Sequence, residues 1–298
     1  MKKEGILEAK IKAGDFIITA EYLPMTDTKI TSLETIKQSN VHAVNVSDNP
    51  YGPVLSSMAA SVQLNQAGVE PVYQIITRDR NRIALQSDIL GAASLGIKNI
   101  LCLSWYHQSS TRMPESANVY DIDSIQLIDL VNTMNNEGTL MDGTKIGGDF
   151  SMLVGAVANP YIEPLELNII RLRKKINAGA KFIQTQAIFD TSLFQNWLEM
   201  ANKEGLTEKA AIIAGIYPLS SYEEALDLCK KHTDFHIPEP QLMRMKEAGD
   251  AEAQKEMGLN ICIETIKKIK EMKGLKGIHI ISGGKEELIS KITNSVGL

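Results

Sequence analysis

Little of this chain is aromatic, and few of its side chains are arranged for metal, membrane or nucleic acid. Aromatic residues are 5 % of its 298 residues, and there are only two tryptophans and three cysteines. Cys102, Cys229 and Cys262 lie far apart, form no Cys-x-x-Cys pair and leave one unmatched in any disulfide scheme. Cys102 stands between leucines and Cys262 between isoleucines, so both read as small core residues in a reducing compartment. No apolar run approaches the roughly 18 residues of a membrane span. Residues 1–16 mix charges of both signs among their apolar positions, unlike the core of a signal peptide. A cytoplasmic setting is the expectation. Positive excess is missing as well: 31 Lys and Arg against 36 Asp and Glu give a formal net charge of -5, which argues against a nucleic-acid footprint. Of the five histidines only His232 and His236 are close. No Glu follows His232 and Pro238 soon interrupts, so the pair reads as a solvated helix end rather than a metal site.

What is present is an ordinary globular composition, 44 % hydrophobic and 22 % charged, arranged as short β-type runs alternating with helical stretches. The runs cover residues 16–20, 43–47, 72–77, 99–103, 152–156, 182–186, 211–216 and 277–281. Most are continuously apolar, as parallel strands covered on both faces should be. Between them helical spacing is clear, for example at Leu165, Ile169, Leu172 and Ile176. Asp121 ahead of Ile122-Asp123-Ser124 marks a helix start, and Ser220 with Glu223 reads as a capping box. Eight such units without a break in composition predict one closed (β/α)8 barrel, a single domain over residues 1–298. The competing open, doubly wound sheet wants Gly-x-Gly-x-x-Gly after its first strand, where this chain has Tyr22-Leu23-Pro24-Met25. No Walker loop or zincin motif occurs. Residues 104–120 and 236–249 read as loops too long to be simple connections.

A β/α barrel works at the C-terminal ends of its strands. Here those ends carry Glu21, Ser47-Asp48-Asn49, Gln74 with Thr77-Arg78, Ser104 to His107, Asn159, Gln184, Gln186, Tyr217 and Ser282, a set rich in amides and hydroxyls. Glu21 follows four strand residues and precedes Tyr-Leu-Pro. Projected into the mouth among apolar neighbours, its carboxyl would titrate high and suit a general acid; a surface-facing strand-end glutamate is the alternative, and the residues alone leave both open. The run from Arg78 to Arg82 reads as a solvated, self-paired charge cluster. Arg171, Arg173, Lys174 and Lys175 form either a solvated face or a cradle for phosphates or a polyglutamate tail. Gly283-Gly284 is either an ordinary loop or an anion-binding turn.

Taken in order, these segments resemble the methylenetetrahydrofolate reductase family: Thr19-Ala20-Glu21-Tyr22-Leu23-Pro24, Val44 to Asn49, Gln74 to Arg82, Leu101-Cys102-Leu103, Ala178-Gly179-Ala180, Gln184-Thr185-Gln186, Gly215-Ile216-Tyr217-Pro218 and Gly277-Ile278-His279. The resemblance implies a flavin barrel, with FAD or FMN loaded by NAD(P)H or another reductant, that converts methylenetetrahydrofolate to methyltetrahydrofolate. It implies that Glu21 protonates folate N10, that Gln186 binds the pterin or the nicotinamide amide, and that Tyr222 stacks on the substrate. Ser47, Gln74, Asn159, Lys174 and Lys175 match flavin-lining positions, the lysines near the pyrophosphate. Beyond the 101–103 strand, after Ser104, the family carries Gly-Asp beside flavin and folate. This chain has Trp105-Tyr106, which exchanges a glycine for the bulkiest side chain and a carboxylate for a phenol at the cofactor and substrate contacts. Three readings follow: a reductase working in either direction; a flavin-free folate protein that takes hydride from a nicotinamide or passes a methyl group to a corrinoid partner; and a silent folate-binding subunit, which retention of Glu21 and Gln186 disfavours. Tetrahydrofolate derivatives are the expected ligands in all three, with a homo-oligomer or a redox or corrinoid protein as partner.

Overall fold

The structure is a computed structural model and describes residues 4–231 and 235–297. Eight parallel strands, hydrogen-bonded in chain order, close into a barrel. They are β1 (Ile17–Tyr22), β2 (Ala43–Val46), β3 (Pro71–Ile76), β4 (Asn99–Leu103), β5 (Leu153–Ala158), β6 (Phe182–Ala187), β7 (Ala211–Ile216) and β8 (Leu275–Ile280). The helices are α1 (Ile6–Ala13), α2 (Leu33–Lys37), α3 (Ser57–Gln66), α4 (Arg82–Ser94), α5 (Ser124–Glu137), α6 (Leu165–Ala178), α7 (Thr191–Lys203), α8 (Tyr222–Lys231), α9 (Glu239–Glu247), α10 (Ala251–Ile269) and α11 (Glu287–Ser295). The expected (β/α)8 architecture is what forms. Among the described residues no helix is long and apolar enough to cross a membrane.

The two-residue period of a strand divides the core in two. Outward residues such as Ile18, Ala20, Ile100, Ile183 and Ile278 meet the helices in the larger apolar cluster. Inward residues Ile17, Val72, Leu101, Leu153, Phe182 and Ile213 fill the lower barrel. Phe182 fits because β5 has Gly155 opposite: a Cβ there would lie 2.1 Å from the ring. Leu7 of α1, fully buried, seals the bottom. Gly5 at the start of α1 offers no capping side chain; Glu70 replaces it, accepting from the Ile6 and Leu7 N–H groups and from Asn99 Nδ2. A carboxylate at a helix N-terminus satisfies orphan donors and complements the dipole.

Two expected caps lie a residue or two away from where they were read. Asp123, not Asp121, caps α5 in a full capping box with Gln126, while Asp121 binds Arg82 at 2.8 Å. At α8 the cap is Ser221, whose Oγ accepts from Glu224 N–H, while the Glu224 carboxylate turns back to accept from Ser220 N–H. The stretch 236–249 is not a loop. It contains α9, with Pro240 in its first turn, where a missing N–H costs nothing. Residues 104–120 do form a long loop, broken by one short turn at Gln108–Ser110.

The charge run after β3 is buried at its start and exposed from Asn81 on, and only Arg78 and Asp79 pair within it. Arg78 is 1 % exposed, binding Asp79 and the Asn49 carbonyl. Arg80 clasps the buried Asp48 at 2.7 Å and also meets Asp88, while Asp48 accepts from Ile76 N–H. The run fastens the loops after β2, β3 and β4 to one another.

Candidate active site

Above the apolar floor the barrel interior turns polar. Thr19, Asn45, Gln184 and His279 join from β1, β2, β6 and β8. Asn45 and Gln184 exchange amide hydrogen bonds of 2.6 and 3.1 Å, Gln184 Nε2 donates to Thr19 Oγ1 at 3.2 Å, and Thr19 Oγ1 lies 2.9 Å from His279 Nδ1. All four are buried. Burial pushes the His279 pKa down to about 3, so its ring is neutral at physiological pH. Satisfied amide and hydroxyl pairs can be buried without the penalty of orphaned polar groups.

A cavity of about 230 Å³ opens over this layer, lined by Glu21, Gln74, Gln184, Gln186 and His279, by Leu101, Leu103 and Val157, and by aromatic rings. In a chain only 5 % aromatic, five rings border it: Tyr51, Trp105, Tyr106, Tyr217 and Phe235. Glu21 has its carboxyl in the cavity wall. Ser47 Oγ donates to Oε1 at 2.8 Å, and the Gly283 N–H points to Oε2 at a long 3.4 Å. Burial holds this carboxyl above the ordinary range, outweighing both donors, and the Glu286 charge adds to the effect. The Gly-Gly turn thus faces a carboxylate of its own chain. Gln74 is 5 % exposed and its Oε1 has no partner among the described residues. An orphaned buried acceptor costs about 1–3 kcal/mol, and the side chain that carries it lines the cavity.

Trp105 is held in the left-handed region at φ +69°, and Tyr120 at the far end of the same loop at φ +42°. For side chains of this size that is roughly 1–3 kcal/mol of strain each. The surroundings fix it. Trp105 Nε1 donates to the Pro50 carbonyl at 2.9 Å, its ring packs on the barrel-interior cluster, and Tyr120 Oη donates to the Tyr106 carbonyl at 3.0 Å. Tyr106 meets the indole edge-on, with centroids 5.6 Å apart. Arg112 ties the loop to the Tyr51 and Pro53 carbonyls. On the opposite side Tyr217 Oη donates to Glu224 Oε1, which also pairs with Lys285 at 2.9 Å; the Lys285 ammonium lies 4.8 Å from the Tyr217 ring centre.

The residues read from sequence divide accordingly. Glu21, Gln74, Trp105, Tyr106 and Gln186 meet at the cavity, and Ser47 supports Glu21. Ser104 instead accepts from Ser124 N–H at the start of α5. Asn159 and Lys175 line a separate cleft of about 80 Å³ with Arg171 and Asn168. There Lys175 Nζ donates to the Val157 carbonyl, and burial, with Arg171 nearby, lowers its pKa to about 8. Lys174 is exposed. Tyr222 does not reach the cavity: it begins α8, its N–H donates to Gln254, and Lys246 lies 5.9 Å over its ring. The ring that does line the site on this side is Tyr217. His232 lies outside the described residues; His236 is exposed and stands 3.7 Å from Asp190. Sequence reasoning did not single out Thr19, Asn45, Tyr51 or Phe235. The signal for the first two was parity: Thr19 is two residues from Glu21 on one strand, and Asn45 two from Ser47.

A parallel barrel with an acid, amides and aromatic rings at its C-terminal mouth has the form of an enzyme active site. The model of the methylenetetrahydrofolate reductase family matches residues 6–297, and the chain belongs to that family. A probable methylenetetrahydrofolate reductase (NADPH) of Caenorhabditis elegans is 25 % identical over 82 % of this chain, which spans only 34 % of that relative. The 5,10-methylenetetrahydrofolate reductase of Salmonella typhimurium is 28 % identical over 78 % of this chain and 72 % of its own. Among solved structures, an uncharacterized protein from Clostridium thermocellum that binds two copies of 5-methyl-5,6,7,8-tetrahydrofolic acid shares the fold, with a TM-score of 0.67, 14 % identity and 98 % of both chains covered.

The family generally uses FAD and NAD(P)H. The residues in this cavity do not make a flavin cradle. The Trp105 indole stands where the family resemblance puts glycine, and among the described residues no Lys or Arg lines the cavity to meet a pyrophosphate. Of the two lysines matched to that role, one is exposed and the other is engaged by a backbone carbonyl.

Proposed function

We propose that this chain is a cytoplasmic enzyme of one-carbon metabolism that interconverts 5,10-methylenetetrahydrofolate and 5-methyltetrahydrofolate, with Glu21 as its general acid. The observation that carries the reading is Glu21 itself: a carboxyl raised by burial, set among aromatic rings and amides in a cavity sized for a pterin. Its proton passes to folate N10 as the N10–methylene bond breaks, and the electron pair of that bond goes to N10. The remaining N5-methylene iminium carbon accepts a hydride and becomes the N5-methyl group. Water returns a proton to Glu21. Ser47 orients the carboxyl, and burial in the cavity wall raises its pKa, which favours the protonated, proton-donating form. Gln186 and Gln74 offer hydrogen-bonding edges to the ring.

The hydride donor is the point on which two versions differ. The relatives' names record NADPH and NADH donors. In one version a flavin, loosely held and substoichiometric, would supply the hydride. Trp105 favours the other, a flavin-free folate protein that takes hydride directly from a nicotinamide or passes a methyl group to a corrinoid partner. Incubating the protein with methylenetetrahydrofolate and NADH or NADPH, with and without added FAD, and measuring methyltetrahydrofolate by chromatography tests the proposal. Product that needs no FAD supports the flavin-free version, and product only with FAD the relay. Failure in both directions, with no folate binding, overturns the proposal.

A further inference from the structure

The bulkiest side chain in the cavity occupies a backbone conformation suited to glycine, and four separate contacts hold it there. Trp105 has φ +69°; its Nε1 is tied to Pro50; its side chain packs against the barrel core; and the carbonyls at 105 and 106 are gripped by Tyr120, which is itself left-handed. Strained residues persist only where the surroundings over-determine them, and they concentrate at ligand clamps. Trp105 also lines the cavity, together with Gln74, whose buried Oε1 lacks a donor among the described residues. A rigid aromatic face and an unmatched acceptor beside one opening are complementary to a single flat heterocycle with an N–H edge.

We infer that Trp105 is the stacking plate for the folate's pterin ring, which lies against the indole and turns an N–H edge toward Gln74 Oε1. The inference rests on the folate reading and adds to it. In this chain a side chain supplies the flat face against which the substrate is registered, so a second, permanently bound ring system is not needed to hold it. Offset stacking between aromatic systems is favourable beyond the area it buries, and a plate fixed in advance loses no side-chain freedom on binding. Tyr106, edge-on to the indole, and Arg112, which binds the Tyr51 and Pro53 carbonyls, act as positioning residues that keep the plate from turning out with its loop.

The two tryptophans allow a direct test. Trp197 is fully buried in α7, bonded to Asn168 and stacked on Phe194, so it serves as an internal reference away from the cavity. Titrating 5-methyltetrahydrofolate into the protein with emission excited at tryptophan should give saturable quenching with the same midpoint as calorimetry, and Trp105→Phe should lose that signal while Trp197 still emits. Trp105→Gly, which suits the backbone at this φ and so should fold, should weaken binding about tenfold to a hundredfold, the usual worth of one ring stack. Trp105→Phe should keep affinity within a few-fold. Calorimetric binding without quenching, or unchanged affinity in Trp105→Gly, overturns the plate and leaves the folate reading standing. No calorimetric binding to the wild-type chain overturns both.

Discussion

Replacing Gln74 by leucine should stabilise the free protein and weaken its hold on folate, a combination expected of a group kept for its ligand. Gln74 Oε1 is buried without a partner among the described residues. Such an acceptor costs about 1–3 kcal/mol, and an apolar side chain of similar shape removes that cost. For a chain of this size, 1 kcal/mol moves Tm by roughly 2–4 °C, so Gln74→Leu should melt higher by about 2 °C at least. The bound state moves the other way. A ligand N–H that meets Oε1 in the wild type would face a methyl group, leaving a buried donor unpaired, and about 1–3 kcal/mol lost there is roughly five- to a hundredfold in Kd. Differential scanning calorimetry of the free protein and titration calorimetry with 5-methyltetrahydrofolate measure the two halves. A lower Tm in the variant would refute the orphan-acceptor argument, and unchanged folate affinity would refute the role given to Gln74 in binding.

Trp105→Gly combined with Tyr106→Asp should tighten FAD by about tenfold to a hundredfold, since overpacking costs about 1–3 kcal/mol; stoichiometric yellow wild-type protein would show the steric argument wrong, and a double variant that still refuses FAD would place the loss elsewhere. Arg80→Met should destabilise the fold by about 3–5 kcal/mol in urea melts, because Asp48 is fully buried and loses its ion pair. Stability should also carry a pH signature from Glu21. Its folded pKa is raised above the reference 4.5, so between those values the folded state holds a proton the unfolded chain has released, and stability falls as pH rises through that window. Glu21→Gln should remove this part of the slope, which paired melts across pH would detect.

Much of the barrel was legible in the sequence because its strands are covered on both faces. β4 and β7 coincide with the apolar runs at 99–103 and 211–216, and the other strands differ by one or two residues at an end. The helical spacing at Ile169, Leu172 and Ile176 also appears as a buried stripe. α9 was hidden by Pro238 just before it, Pro240 in its first turn and its sparse apolar residues. Arg78 looked solvated because a sequence shows alternating charges that could pair among themselves in water, while the partners that bury the start of this run, Asp48 and the Asn49 carbonyl, come from another loop. Glu21, Gln74 and Gln186 were readable since strand ends in a barrel converge on one mouth. Tyr222 was assigned through resemblance, which fixes a residue type but not the direction of its ring; Tyr217 reaches the cavity instead, at the C-terminal end of β7. The Asn45–Gln184 pair, 139 residues apart, follows only once the barrel has closed.

The central claim is that the carboxyl at the barrel mouth performs acid chemistry on a bound folate, and Glu21→Gln tests it most directly. The amide keeps the shape and can still meet Ser47, but it has no proton to give. Folate affinity by calorimetry should stay within a few-fold of the wild type, while conversion between methylenetetrahydrofolate and methyltetrahydrofolate should drop by about 10²–10⁴-fold, the usual worth of a general acid. Turnover near the wild-type rate in this variant would contradict the account, and so would a wild-type chain that binds no folate at about millimolar concentration, where a complex retains only some 4 kcal/mol.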